Sequence, residues 1–181
     1  MTILNEDKCL FLVIDIQEKL LRATFNNDIL EKNASIIATA ASKLKIPVVV
    51  TEQYPKGLGA TVETIKTNLK DAYYYEKTSF SALDEPDIMD IINKFNKKQI
   101  VLFGIETHIC VNQTAYSLVQ QGYDVTLIKD ASGSRKEYEH NAGIERIRDH
   151  GAHIITTEIA LFELLKSSKH EKFKEIQALI K

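Results

Sequence analysis

The stretch Gln99-Ile-Val-Leu-Phe-Gly-Ile-Glu-Thr-His-Ile-Cys-Val-Asn-Gln-Thr-Ala-Tyr-Ser-Leu-Val-Gln-Gln-Gly122 decides how this chain folds. Gln99 to Phe103 reads as a buried strand, because a short continuous apolar run bounded by a glycine fits a strand covered on both faces. Cys110 to Gln121 reads as a helix, closed by Gly122. A cysteine is thereby set where a strand's C-terminal end turns into a helix N-terminus. Unpaired amide N–H groups and partial positive charge gather there and favour an anion. A thiol so placed is expected to lean toward thiolate, the form that attacks carbon. The same amides can hold the oxyanion that such an attack creates.

The same alternation of strand and helix continues on both sides. Cys9 to Ile14, Pro47 to Thr51, Ala72 to Tyr75, Asp124 to Ile128 and His153 to Thr156 read as further strands. Between them lie helical segments at Asp28 to Lys45, Pro86 to Asn96 and Lys136 to Asp149, with two more near Ile159 to Leu165 and Lys169 to Ile180. Asp28 can cap its helix and Pro86 sits at a first-turn position. Gly151 stops the segment before it. Strands alternating with helices predict an α/β fold with a parallel sheet covered on both faces. Ligands in such folds gather beyond the carboxyl ends of the strands, near a topological switch point.

At 181 residues the chain is expected to form one domain, residues 1–181, large enough for a substantial core. Its 23 basic and 25 acidic residues are mixed and leave a formal net charge of −2, so no basic stripe points to nucleic acid or an anionic membrane. No apolar run has the length of a transmembrane helix. The start, Met1 to Lys8, has neither the h-region of a secretory signal nor the character of a transit peptide. Cys9 and Cys110 make no CxxC and no metal-ligand pair; two free thiols in this setting predict a reducing, cytoplasmic location. None of the five histidines has metal-ligand spacing with another, and Gly57-Leu58-Gly59 lacks the rest of a dinucleotide fingerprint.

Three polar residues fall at predicted strand ends on one edge of the sheet: Asp15 after strand one, Lys77 after strand three, Cys110 after strand four. Singly, each has an ordinary explanation: a helix cap or ion pair, a solvated lysine, a small buried hydrophobe. Together they form a coherent reaction set. A lysine near the thiol lowers its pKa, and a carboxylate can take the thiol proton and return it to a leaving group. His108 lies two residues before Cys110, too close along one turn for a Cys-His dyad, and is read as lining the site mouth or bonding locally. Thr51-Glu-Gln-Tyr-Pro-Lys-Gly-Leu-Gly59 and Lys129-Asp-Ala-Ser-Gly-Ser-Arg135 are shaped loops on the same edge. Two rival readings stand beside an enzyme: a binding or regulatory protein that keeps the fold without efficient turnover, and a redox-sensing thiol protein.

Val13-Ile-Asp-Ile-Gln17, Thr51-Glu-Gln-Tyr-Pro-Lys-Gly-Leu-Gly59, Glu76-Lys-Thr-Ser-Phe-Ser81, Gly104-Ile-Glu-Thr-His-Ile-Cys-Val111 and Asp130-Ala-Ser-Gly-Ser-Arg135, in that order, resemble the isochorismatase-like cysteine hydrolases, and most of all the isochorismatase domain-containing branch. The resemblance spans roughly Cys9 to Thr157. It implies a three-layer, Rossmann-like α/β sandwich around a central parallel sheet of six strands. It implies a catalytic triad of Asp15, Lys77 and Cys110, a cis peptide at Ile105-Glu106, and an oxyanion hole from the N–H groups of Glu106 and Cys110. It places Gln17, Gln53, Tyr54, Phe80, Thr107 and His108 around the substrate. Nicotinamidases of the superfamily carry an Asp-x-His…His metal set after strand two; here that loop reads Glu52-Gln53-Tyr54, so neither metal nor cofactor is expected. The cysteine itself points to acyl chemistry on a small amide through a thioester. A homo-oligomer is implied as well.

Overall fold

The computed structural model describes residues 3–181. Six strands, β1 (Cys9–Ile14), β2 (Val48–Gln53), β3 (Tyr73–Lys77), β4 (Gln99–Gly104), β5 (Asp124–Ile128) and β6 (His153–Ile155), form one sheet in the order β3-β2-β1-β4-β5-β6. Every neighbouring pair is parallel. The central strands β1 and β4 are buried along their whole length, which is why both read as unbroken apolar runs.

Among the described residues nine α-helices complete the three layers: α1 (Glu18–Ala23), α2 (Asn27–Lys43), α3 (Pro55–Leu58), α4 (Glu63–Lys66), α5 (Pro86–Phe95), α6 (Asn112–Gln120), α7 (Glu137–Asp149), α8 (Thr157–Leu165) and α9 (Phe173–Gln177). Alternate residues of β1 serve opposite faces. Cys9, Phe11 and Val13 join Ala34 and Ile37 of α2, Leu161 and Leu164 of α8, and Ile176 of α9. Leu10, Leu12 and Ile14 join Ile88 and Ile92 of α5, Ala115 and Leu118 of α6, and Ile147 of α7. The strand order reverses between β1 and β4, so a crevice opens beyond their carboxyl ends. Asp15 follows the first of these strands and the cysteine turn follows the second.

Element boundaries differ from the sequence reading where local geometry outweighs the apolar pattern. β3 runs on to Lys77, because its backbone stays paired with β2 through Glu52↔Glu76 and Gln53↔Lys77 after the apolar residues end. Cys110 is not at the start of an α-helix; it lies inside a π-helical turn, Thr107–Val111, which hands over to α6 at Asn112. The expected helix from Lys169 to Ile180 shrinks to α9 and a 3₁₀ turn at Ala178–Ile180. There the Ser167 hydroxyl and the His170 ring accept the N–H groups of Lys169 and Lys172, offering the backbone a local alternative to helix. The short helices α1, α3 and α4 lack the length for periodicity to show.

Candidate active site

Asp15 leaves β1 in the left-handed region, φ 50°, which turns its side chain back over the strand ends. Its Oδ1 accepts the Thr51 hydroxyl at 2.6 Å. Its Oδ2 lies 2.7 Å from Lys77 Nζ, and both side chains of this ion pair are fully buried. Oδ2 accepts no other hydrogen bond among the described residues. Lys77 also donates to Gln53 Oε1 at 2.6 Å and to the Ser79 carbonyl at 3.2 Å. An ammonium has three protons, and the three are directed at Asp15, Gln53 and the Ser79 carbonyl. The desolvation of two charges is thus offset by close pairing and added hydrogen bonds, the condition under which a buried pair persists.

Cys110 arrives from β4 through a sequence of close approaches. A Cβ on Gly104 (φ +136°) would stand 2.0 Å from the Ile14 carbonyl oxygen, so only glycine lets the end of β4 close on the end of β1. The Ile105-Glu106 peptide is cis, as the family resemblance implies. Thr107 N–H donates to the Gly133 carbonyl at 2.8 Å, and the Glu106 carbonyl accepts N–H groups from Ile109 and Val111. The Glu106 carboxylate is clamped by the Arg135 backbone N–H at 3.1 Å and Nε at 2.9 Å. A parallel bridge between Ile105 and Gly133 ties the cis peptide to the loop after β5. Behind the turn, Gly143 of α7 brings its helix so near that a Cβ would meet His108 N at 2.8 Å.

The Cys110 thiol feels the charges of both Asp15 and Lys77. Its acidity runs against expectation. Burial first, and then the Asp15 charge, push the thiol up to about 12, against the weaker pull of Lys77. Desolvation therefore opposes the bias toward thiolate read from the turn. A redox sensor depends on an accessible, acidic thiol; this buried one has neither property.

The remaining predicted site residues divide. Gln17 does not line an open pocket: it is fully buried, and its amide is spent on Gln53 N–H at 2.8 Å, the Gln53 carbonyl at 3.0 Å and the Gly59 carbonyl at 2.6 Å. Thr107 is buried too, with its hydroxyl on His140 Nδ1 at 2.9 Å. Burial and the Lys129 charge push His140 down from the ordinary histidine value. His108 bonds locally, Nδ1 to Ser134 Oγ at 2.9 Å. Tyr54 and Phe80 are exposed. Tyr54 and Lys77 belong to the wall of a cavity of ≈ 240 Å³ shared with Pro55, Lys56, Glu76, Thr78 and Glu85. No group of His, Cys, Asp or Glu among the described residues is arranged to hold a metal ion. Sequence reasoning passed over Gly143 and Arg135; a glycine in mid-helix was the available signal for the first.

The isochorismatase domain family matches residues 9–159. The chain belongs to the isochorismatase family. Isochorismatase domain-containing protein 2 of Xenopus laevis is 38% identical over 178 residues, 98% of this chain and 85% of that protein. Among solved structures, the MAR1 ribonuclease from Caenorhabditis elegans superposes with a TM-score of 0.94 at 36% identity, covering 99% of this chain and 92% of that one. The YcaC gene product from Escherichia coli, an octameric hydrolase of unknown specificity, superposes with a TM-score of 0.95 at 24% identity, covering 99% and 90%. The parallel six-stranded sheet of this isochorismatase-family chain is therefore the family's hydrolase fold, and no helix among its described residues is long and apolar enough to cross a membrane.

Proposed function

We propose that this chain is a metal-independent cysteine hydrolase of a small amide or related acyl compound, working through a thioester on Cys110. The observation that carries this reading is the buried Asp15–Lys77 ion pair, 2.7 Å across, whose charges both act on the Cys110 thiol. Asp15 takes the thiol proton as sulfur attacks the carbonyl carbon, so the thiolate appears only in the attack. The oxyanion that forms is met by the backbone N–H groups of Glu106 and Cys110. On collapse the C–N bond breaks, and Asp15 returns the proton to the leaving nitrogen. Water then gives a proton to Asp15 and attacks the thioester. The acid leaves, and the sulfur regains its proton. Lys77 remains an ammonium throughout, because carboxylate and carbonyl acceptors surround it, and it offsets the charge that moves between oxygen and sulfur.

Tyr54, Phe80 and His108 are the pocket residues retained in this reading. The octameric state of YcaC supports a homo-oligomer, and the two free thiols support a cytoplasmic setting. The mixed charge of the chain, 23 basic against 25 acidic residues, does not favour RNA as a ligand. The test is a panel of small primary and N-substituted amides, with a short single-stranded RNA beside it, followed by intact mass at short times. Hydrolysis with an acyl adduct on Cys110, absent in Cys110→Ser, is expected. Cleavage of RNA that survives Cys110→Ser, with no amide consumed, would overturn the reading.

A further inference from the structure

Gln53 was placed in the sequence as a residue around the substrate, yet its side chain is committed elsewhere. Oε1 accepts from Lys77 Nζ at 2.6 Å, and Nε2 donates to the Thr78 carbonyl at 2.8 Å. Its backbone is held in turn by Gln17, whose amide oxygen accepts the Gln53 N–H while its Nε2 donates to the Gln53 carbonyl. Gln17 is fully buried and also anchors the Gly59 carbonyl at 2.6 Å. A chain of amide bonds thus runs from the end of β1, through the loop after β2, to the ammonium at the end of β3.

We propose that Gln53 is a charge-neutral positioning residue that fixes Lys77 while leaving its charge to the Cys110 sulfur, with Gln17 holding Gln53 in register. This deepens the hydrolase reading and rests on it. The chemistry turns on the count of charges. Lys77 pairs directly with one carboxylate, Asp15, at 2.7 Å, with Glu85 a weaker influence whose carboxylate is already taken up by the Thr78 and Ser79 N–H groups. When the thiol proton moves to Asp15, that anion becomes neutral and the new negative charge sits on sulfur. The Lys77 charge is then free to stabilise the thiolate only if its other side-chain partner is neutral. An amide satisfies the hydrogen bond without competing for the charge. A carboxylate at the same position would hold Lys77 permanently and leave the thiolate without a counter-ion in a desolvated site.

The discriminating pair is Gln53→Glu, which keeps shape and adds a charge, and Gln53→Met, which removes the hydrogen bond and adds none. Iodoacetamide alkylation of Cys110 is followed by intact mass from pH 6 to 10, with Cys9→Ala in the background so that one thiol is counted. Gln53→Glu is expected to slow alkylation about tenfold or more at pH 8 and to move the profile to higher pH, as an added unit charge a few ångströms away requires. Gln53→Met is expected to leave the profile within about threefold of the parent, while kcat for any amide the parent hydrolyses falls and KM holds. A residue that merely braces the loop would give both variants the same loss with no movement of the profile, and that result overturns the proposal. If Gln53→Glu does not fold, Gln53→Met against Gln53→Asn decides: equal thiol profiles with kcat recovered in Asn uphold the clamp, and a kcat as low in Asn as in Met removes it. An alkylation profile that moves as expected, in a protein that hydrolyses no amide, leaves the clamp standing and removes the hydrolase reading instead.

Discussion

Asp15→Asn is expected to make Cys110 more reactive toward a small electrophile while ending turnover. After burial, the Asp15 charge is the largest influence holding the thiol in its protonated form, and Lys77 is the chief influence opposing it. Replacing the carboxylate by an amide removes a negative charge beside the sulfur and frees Lys77 to pair with the thiolate. The Thr51 hydroxyl, 2.6 Å from Oδ1, still finds an acceptor in the Asn oxygen, so the loop keeps its bond. Two charges about 4 Å apart at an effective dielectric of about 20 interact by about 4 kcal/mol, an upper bound here. Taking from a third of that to all of it, thiolate at a fixed pH rises roughly tenfold to thousandfold. A less basic thiolate is also a weaker nucleophile, with a Brønsted slope near 0.45, so the net gain in alkylation rate is about 3- to 50-fold. The assay is the second-order rate with iodoacetamide from pH 6 to 10, read by intact mass, for the parent, Asp15→Asn and Lys77→Met. Lys77→Met should move the opposite way. Both variants should lose at least about a hundredfold in kcat, because general acid–base catalysis contributes on the order of 10²- to 10⁴-fold. An Asp15→Asn variant that alkylates no faster than the parent, or whose profile moves to higher pH, refutes the electrostatic account.

Gly104→Ala should be among the most damaging single changes, since its methyl would lie 2.0 Å from the Ile14 carbonyl oxygen at a φ of +136°. A loss of about 3 kcal/mol or more in urea unfolding is expected, and a loss under about 1 kcal/mol would mean the strand ends can part freely. Gly143→Ala presses on His108 N at 2.8 Å and should displace the cysteine turn; kcat should fall more than stability does, on the order of tenfold against about 1–2 kcal/mol. Stability should also drop on the alkaline side. Burial raises Cys9 to about 11 and Cys110 to about 12, so the folded state holds protons that the unfolded chain releases above about pH 8.5. That stabilisation is complete below the unfolded value and is lost as pH rises toward the folded one, by about 1–2 kcal/mol per thiol between pH 7 and 10. Urea midpoints for the parent and Cys9→Ala across that range check it: the variant should show the shallower decline.

The fold was legible because parallel strands buried on both faces leave an apolar signature that little else imitates. Cys9 to Ile14 and Gln99 to Phe103 read as strands for the reason that they are central. The edge strand β3 was only half legible. Its last two residues, Glu76 and Lys77, are polar and owe their place to backbone pairing with β2, which sequence pattern does not record. The site was legible as positions and less so as electrostatics. A strand-to-helix turn carrying a cysteine announces a nucleophile. The depth at which the turn is buried, which reverses the direction of the thiol's pKa, depends on how α7 and the loop at Ser132 to Arg135 pack over it. Gln17 and Gln53 show the same limit: a glutamine at a strand end is equally suited to touch a substrate or to hold the scaffold, and only its bond partners tell the two apart.

In the proposed hydrolase, a nucleophile stored as a thiol is compatible with turnover for a reason of charge. A free thiolate in a buried site would be exposed to every electrophile that reached it and would itself be costly to desolvate. The arrangement of Asp15 and Lys77 keeps the pair of formal charges constant while the location of the negative one changes. Before attack it lies on Asp15, held by Thr51 and Lys77. In the proposed attack it passes to sulfur and then to the substrate oxygen, while Asp15 carries the proton. Lys77 is paired with the first and acts electrostatically on the second, and the Glu106 and Cys110 N–H groups lie on the turn that would bear the third. Because no net charge enters or leaves the site, the cost of burial is met once, on folding, and is not met again in each turnover. The same reasoning explains why Lys77 must be saturated by neutral acceptors beyond Asp15. It also explains why Asp15→Asn separates two properties that usually move together, the acidity of the nucleophile and the rate of catalysis.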